Sequence, residues 1–312
     1  MSNYPILTII TPVYNGEKYI SETIDSVIKS QIMYPYEYLV LNDGSKDETL
    51  KILQSYKSDI KIFSHENIGE SDTVNRGIEN ALGEFILVIS ADDPLLTSDL
   101  INKACKILLE NSSIVAIYPD WKIIDKDGKT LKNQILPEFT DELLVGHCKC
   151  LPGPGTIFRK DKALQIGGRR SCWKFVGDYD FWLRLSRVGK IVRLPGVLAQ
   201  WRENQNSTSV SQRDNKMAME RIKVIEDYLF ENKTSEDLSR KALGNAYYLA
   251  ARLAFFDPKI NGRFLLFKSL RYRRGWPEEA KLYVVLYLIL MPLSSVIIRP
   301  FSKLVTRIIS YK

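Results

Sequence analysis

The stretch from Glu84 to Pro94, Glu-Phe-Ile-Leu-Val-Ile-Ser-Ala-Asp-Asp-Pro, delivers a continuous apolar run onto two adjacent carboxylates. An unbroken run from Phe85 to Ile89, with a helical pattern before it and Pro94 after it, predicts a strand buried on both faces, as in a parallel sheet. Asp92 and Asp93 then fall at its carboxyl end. Open α/β sheets bind ligands in the crevice outside the carboxyl ends of their strands, so two hard oxygen donors there point to a divalent cation and a phosphorylated substrate. On this stretch alone, Ala-Asp-Asp-Pro reads equally well as the turn that starts the next helix.

The surrounding chain repeats the pattern. Ile6 to Ile10 end in Thr11-Pro-Val-Tyr-Asn-Gly16, and a helical face of Ile20, Ile24, Val27 and Ile28 follows. Tyr38 to Leu41 run into Asn42-Asp-Gly-Ser45 and a short helix, Ile60 to Phe63 form a third strand, and Val74, Ile78, Ala81 and Leu82 line a helix before the central run. A further helix with Ile101, Cys105, Leu108 and Leu109 leads to a fifth strand at Ile114 to Tyr118. Strands alternating with helices at this spacing mean βαβ units and a mostly parallel sheet. Past Tyr118 the alternation stops: a hairpin turning at Asp127-Gly128, an irregular segment from Pro152, a helix from Gly177 to Val188, and only helical patterns from Gln212.

Composition bears on partners. The chain carries 44 basic and 37 acidic residues, a net charge of +7. Lys268 to Lys312 hold nine basic and two acidic residues, which leaves 35 of each sign before them. The basic balance therefore belongs to one tail, not to a nucleic-acid-binding surface spread over the fold. Cysteines at 105, 148, 150 and 172 form no C-x-x-C pair, and the first residues lack a basic-then-apolar leader, so the expected home is a reducing cytoplasm. The Asn206-Ser-Thr sequon then carries no meaning as one.

Neither G-x-G-x-x-G nor G-x-x-x-x-G-K-[ST] occurs, which argues against a dinucleotide or a P-loop triphosphate. With only His65 and His147, and no serine elbow, a Ser-His-Asp hydrolase and an all-histidine zinc site are disfavoured. The remaining chemistry lies in carboxylates: Asp43, Asp92, Asp93, Asp178 and Asp180.

Thr-Pro-Val-Tyr-Asn-Gly at 11 to 16, Asn-Asp-Gly-Ser-Lys-Asp at 42 to 47, Gly-Glu-Ser-Asp-Thr-Val-Asn-Arg-Gly at 69 to 77, Ser-Ala-Asp-Asp at 90 to 93 and Gly-Asp-Tyr-Asp-Phe-Trp-Leu-Arg at 177 to 184 resemble the successive signatures of family 2 glycosyltransferases. The resemblance covers roughly residues 5 to 210. It implies an α/β GT-A fold, a Rossmann-like, mostly parallel sheet with helices on both faces over residues 1–210, followed by a C-terminal helical region at 211–312. It further implies an inverting enzyme that takes a sugar from a nucleotide-diphosphate sugar. Pro12, Tyr14, Asn15, Asp43, Asn75, Asp92 and Arg202 would bind that donor, with Tyr14 stacked on the nucleobase and Asp43 accepting a hydrogen bond from it. Without the family, Tyr14 reads as a loop tyrosine capping the core and Asp43 as an Asx-turn before Gly44.

Asp93 would hold Mg²⁺ or Mn²⁺, which neutralises charge on the departing diphosphate. The family's catalytic base maps onto Asp178. Asp180 sits four residues before Arg184, so a surface ion pair on the helix accounts for it, and a helix cap is the plain alternative for Asp178. Trp201-Arg202 and Ser207-Thr-Ser209 match a later pattern of the family. The chain departs from it at Ser90, Gly177 and Asn204, which leaves Asp93 as the main protein ligand and the metal reliant on diphosphate oxygens and water, with weak dependence expected. These departures also keep open a binding-only relative, and a similar sheet and metal would serve a nucleotidyltransferase.

Leu282 to Ile298 carry no charge and lie between Lys281 and Arg299, with Arg271-Tyr-Arg-Arg-Gly-Trp276 upstream. A span needs about 20 apolar residues, and this run is shorter and contains Pro292, Ser294 and Ser295. It reads as a helix lying on a membrane surface, or as a buried helix of the C-terminal region. The expected setting is peripheral, at the cytoplasmic face of the inner membrane, with a saccharide or lipid-linked acceptor and no nucleic acid.

Overall fold

The structure, a computed structural model, describes residues 4–203, 215–253 and 261–273. Asn204, the sequon at Asn206, the 207–209 pattern and the apolar run at 282–298 lie outside the described residues.

The first half follows the expected alternation. Strands β1 (Leu7–Val13), β2 (Tyr36–Asp43), β3 (Lys61–His65) and β4 (Phe85–Val88) run parallel, β1 pairing with both β2 and β4 and β2 with β3. Helices α1 (Ile20–Ile28), α2 (Thr49–Ser55), α3 (Glu70–Asn80) and α4 (Ser98–Glu110) connect or follow them. Because side chains alternate along a strand, each strand feeds two cores. Leu7 and Ile9, Tyr38 and Val40, and Phe85 and Leu87 pack on one face with Ile20, Ile24, Leu100 and Ile101. Ile10, Leu39, Leu41 and Ile86 pack on the other with Val74 and Ile78.

Two strands escape the sequence pattern. β5 (Ile114–Ile124) turns at Asp125–Lys129 into β6 (Thr130–Gln134), as the hairpin reading expects. Between β4 and β5, however, lies β7 (Ile157–Arg159), antiparallel to both and too short to show a period. β8 (Lys190–Arg202) runs parallel to β5. Its Pro195-Gly196 interrupts the apolar run where the register against β5 shifts, which hides the strand from periodicity. The resulting order is β3-β2-β1-β4-β7-β5-β6, with β8 on β5.

A single π-helical turn at Glu142–Gly146 and helices α5 (Lys160–Gln165) and α6 (Gly177–Leu185) complete this part. Phe158 of β7 meets Phe181 and Trp182 of α6 edge-on at 5.3 and 5.8 Å. Helices α7 (Asn215–Glu231), α8 (Glu236–Leu253) and α9 (Gly262–Arg273) follow. Ala218, Ile222, Ile225, Ala246 and Leu265 belong to the same apolar cluster as Ile10 and Phe181, so the helical region continues the core on one face of the sheet. Among the described residues no helix is long and apolar enough to cross a membrane.

Candidate active site

The carboxyl ends of β1 and β2 are tied together by the two loops that the motifs single out. Asn15 adopts φ 52°, a left-handed conformation that asparagine tolerates. Its N–H donates to Ser45 Oγ at 2.9 Å and its Oδ1 accepts from Lys46 N–H at 2.8 Å. Gly16 N–H donates to Thr49 Oγ1 at 2.8 Å. Asn15 therefore holds the two loops to each other, and Tyr14 beside it stays 48% exposed. Pro12 lies within β1, opposite Leu41 of β2.

Asp43 is 4% exposed, and its two oxygens accept from the N–H groups of Ile68 at 2.6 Å and Gly69 at 3.0 Å. The side-chain bond that closes this corner belongs to Asn42, whose Oδ1 accepts from Ser45 N–H at 3.1 Å. Asp43 thus orders the loop that enters α3, and a nucleobase could use only the remaining lone pairs of its oxygens.

Beyond β4, Asp93 is 7% exposed. Its Oδ1 accepts from the backbone N–H of Arg202 at 2.7 Å, and the Ser90 hydroxyl also bonds the carboxylate. Burial, then the charge of Asp92, push the Asp93 pKa well above the ordinary carboxylate range. Two adjacent carboxylates, one of them desolvated, suit a divalent cation that takes its other ligands from phosphate and water. Among the described residues no three His, Cys, Asp or Glu side chains cluster as a self-sufficient metal site.

The Arg202 side chain, expected on the donor, meets protein groups in this structure. It is 1% exposed, and its Nε donates to Asp92 O at 2.8 Å. Nη1 reaches Asp125 O and Lys126 O at 3.3 and 3.1 Å, and Nη2 reaches Glu22 Oε2 at 2.8 Å. The guanidinium also lies 4.6 Å from the centre of the Tyr19 ring. It pins the Asp92–Asp93 turn to the β5–β6 hairpin and α1. Asn75 is likewise turned to the protein: it brackets the backbone of Arg169, accepting from its N–H and donating to its C=O, both at 2.7 Å.

Asp93 and Asp178 line one cleft of about 760 Å³, a volume usual for a small-molecule site. Pro12, Tyr14, Asn15, Asp43, Asn75, Asp92 and Arg202 do not line it. Asp178 opens α6, where its Oδ1 accepts from the N–H of Tyr179 at 2.7 Å. Its side chain meets the water of the cleft, yet enough protein encloses it that desolvation raises its pKa, against the lowering effect of Arg169. Asp180 pairs with Arg184 as the helical spacing predicts, at 2.7 Å. The pair is buried rather than on the surface, Asp180 being 3% exposed, and Arg184 also donates to Ile166 O and Gly168 O.

Arg169 is a cleft residue that the motif reading passes over. It pairs with Glu70 at 3.0 Å and influences Asp178. The signal for it is Gly167-Gly168, both at positive φ; a Cβ on Gly168 would stand 2.4 Å from Asn75 Oδ1, so the bracket on Arg169 requires glycine there. Trp173, Lys174, Phe175, Trp201 and Met217 complete a largely aromatic wall.

Residues 8–166, about half of the chain, match the model of "Glycosyl transferase family 2". The chain belongs to glycosyltransferase family 2. An uncharacterized glycosyltransferase of Rickettsia typhi is 30% identical over 290 residues, a match covering 84% of this chain and 88% of the relative. One of Rickettsia bellii is 31% identical over 287 residues, covering 80% of this chain but 40% of the relative, so the chain spans less than half of that protein. Among solved structures, S. aureus TarS 1–349 superposes with a TM-score of 0.60 at 17% identity, covering 86% of this chain and 89% of TarS. It has also been solved with UDP and with UDP-GlcNAc. This likeness bears on the fold, which is GT-A.

Proposed function

We propose that this family 2 chain is an inverting glycosyltransferase that moves a sugar from a UDP-sugar to a hydroxyl of a saccharide or lipid-linked acceptor in cell-surface polysaccharide synthesis. The supporting observation is the single cleft lined by both Asp93 and Asp178, at the carboxyl side of a GT-A sheet. UDP is favoured because TarS is solved with UDP and UDP-GlcNAc, and because a carboxylate such as Asp43 accepts from the N3–H of uracil.

In this reading Tyr14 stacks on the base, which is worth about 1 to 3 kcal/mol. Asp93, with Asp92 beside it, would hold Mg²⁺ or Mn²⁺, which supplies charge neutralisation on the leaving diphosphate. Asp178 takes the proton of the acceptor hydroxyl as that oxygen attacks the sugar carbon from the face opposite the diphosphate. A positioned base contributes roughly 10²- to 10⁴-fold. A raised pKa suits the task, since a stronger base accepts the proton more readily. Asp180 is occupied by Arg184 and takes no part. The basic, apolar tail would hold the protein peripherally at the cytoplasmic face of the inner membrane, near lipid-linked acceptors.

Asp178→Asn tests the reading, since it keeps the shape and the Tyr179 contact but accepts no proton. Transfer from a UDP-sugar, followed by UDP release, is expected to fall at least a hundredfold with UDP affinity unchanged, and Asp180→Asn to lose transfer only in step with lost folded protein. Near wild-type transfer by Asp178→Asn would remove Asp178 as the base.

A further inference from the structure

The wall of the cleft nearest Asp178 is built by the segment between Arg169 and Gly177, which contributes Arg169, Ser171, Trp173, Lys174, Phe175 and Gly177. Its own backbone bonding is slight: Trp173 N–H reaches Arg170 O at 3.3 Å. Its start is held by α3, through the Asn75 bracket on Arg169, and the rest is held by α7. Glu220 accepts from two successive backbone donors, Lys174 N–H at 3.3 Å on Oε1 and Phe175 N–H at 2.7 Å on Oε2. About three turns further along α7, roughly 16 Å at 1.5 Å per residue, Glu231 accepts from Arg170 Nη2 on both oxygens, at 2.9 and 3.0 Å. Met217, one turn before Glu220, lines the cleft itself. Neither this segment nor α7 falls within the residues that match the family model.

We propose that Glu220 is a positioning residue for the acceptor: by holding Lys174 and Phe175 it sets the wall against which the acceptor saccharide lies, so that α7 takes part in acceptor recognition. The inference rests on the reading of Asp178 as the base, because the acceptor hydroxyl must then lie beside Asp178, where this wall ends. Phe175 is half-buried and Lys174 exposed, so both present surface to a ligand while their backbone is fixed from behind. Glu220 itself does not line the cleft, and its influence passes through the two N–H groups it holds. A carboxylate is needed to serve both donors, since glutamine offers one carbonyl oxygen and turns an NH₂ towards the other N–H.

The test uses the full chain with Glu220→Ala and Glu220→Gln. Residue-resolved hydrogen exchange is expected to quicken at least tenfold at Lys174 and Phe175 in Glu220→Ala. In Glu220→Gln, the shorter bond at Phe175 should persist while protection at Lys174 is lost. Exchange in β1 to β4 and the UDP affinity measured by calorimetry should stay within twofold of wild type. With UDP-GlcNAc and a mixture of octyl glycosides as probes, the half-saturating acceptor concentration should rise at least fivefold in Glu220→Ala, that for UDP-GlcNAc should not move, and Glu220→Gln should recover part of the loss. Unchanged exchange at both amides overturns the inference, and so does a loosened wall with unchanged acceptor dependence. Loss of UDP affinity alongside would assign Glu220 to general folding and overturn it as well. None of these outcomes touches Asp178, whose role stands or falls with Asp178→Asn.

Discussion

Arg202 separates two roles that one motif leaves together, donor contact and internal pin, and Arg202→Lys distinguishes them. Lysine keeps the charge but replaces a planar fork by a point donor. The guanidinium makes a bond of 2.8 Å to Asp92 O and two longer ones, at 3.3 and 3.1 Å, to the carbonyls of Asp125 and Lys126. Its fourth partner, Glu22, is half exposed, so that ion pair counts for at most about 1 kcal/mol after screening. Charge-assisted hydrogen bonds contribute about 1.5 to 3 kcal/mol each when well formed, and a buried carbonyl left unpaired costs a further 1 to 3. A lysine at this depth can satisfy one or two of the acceptors, so the net loss should be about 3 kcal/mol. With an unfolding entropy of about 2.1 cal/mol/K per residue, 1 kcal/mol shifts Tm by roughly 1.5 °C in a chain of 312 residues, so Tm should drop by about 4 to 5 °C. Denaturant unfolding should show a lower midpoint at an unchanged slope. UDP affinity, measured by calorimetry below the transition, should stay within threefold of wild type, because the bond to Asp93 comes from the Arg202 backbone and survives the change. A variant that melts like the wild type and has lost UDP would refute this reasoning and put the side chain on the donor.

Asp178 has a raised pKa in the folded protein, so the folded state binds its proton more tightly than the unfolded chain. Its contribution to stability is therefore favourable below the unfolded pKa and is lost as pH rises through the folded pKa. Asp178→Asn should accordingly raise Tm at pH 7 relative to wild type but not at pH 3, as scanning calorimetry would reveal; a lowered Tm at pH 7 would contradict the desolvated carboxylate. The acidic limb of transfer should likewise lie above the ordinary Asp value of about 3.9 and vanish in the variant. Asp93→Ala should abolish any Mn²⁺ enhancement of UDP binding, read by calorimetry with and without the ion, and most transfer with it; retention of both would place the cation elsewhere. Deleting residues 282–312 should shift the chain from the membrane fraction to the supernatant on sedimentation, whereas a wild-type chain that stays in the supernatant at low salt would exclude the tail as an anchor.

Much of the frame is legible in one dimension. Strands β1 to β5, the helices between them and the carboxylates at their ends follow from local periodicity, because an apolar run, a turn motif and a helical face each lie within about ten residues. The Asp180–Arg184 pair is legible for the same reason, being one helical turn, although its burial is not. β7 and β8 are not legible: one is three residues long, and the other is broken by Pro195-Gly196 and exists because β5 offers it an edge. What the sequence marks at the site is residue type, a carboxylate, an asparagine or an arginine, and the partner decides what each one does. Asn75 meets the backbone of Arg169, Asp43 that of Ile68 and Gly69, Glu220 that of Lys174 and Phe175, and Asp93 that of Arg202. Backbone N–H groups look alike in every residue but proline, so no pattern of side chains announces such a bond. Only packing in three dimensions brings each donor to its acceptor, and only packing places Asp93 and Asp178, far apart in the chain, on one cleft.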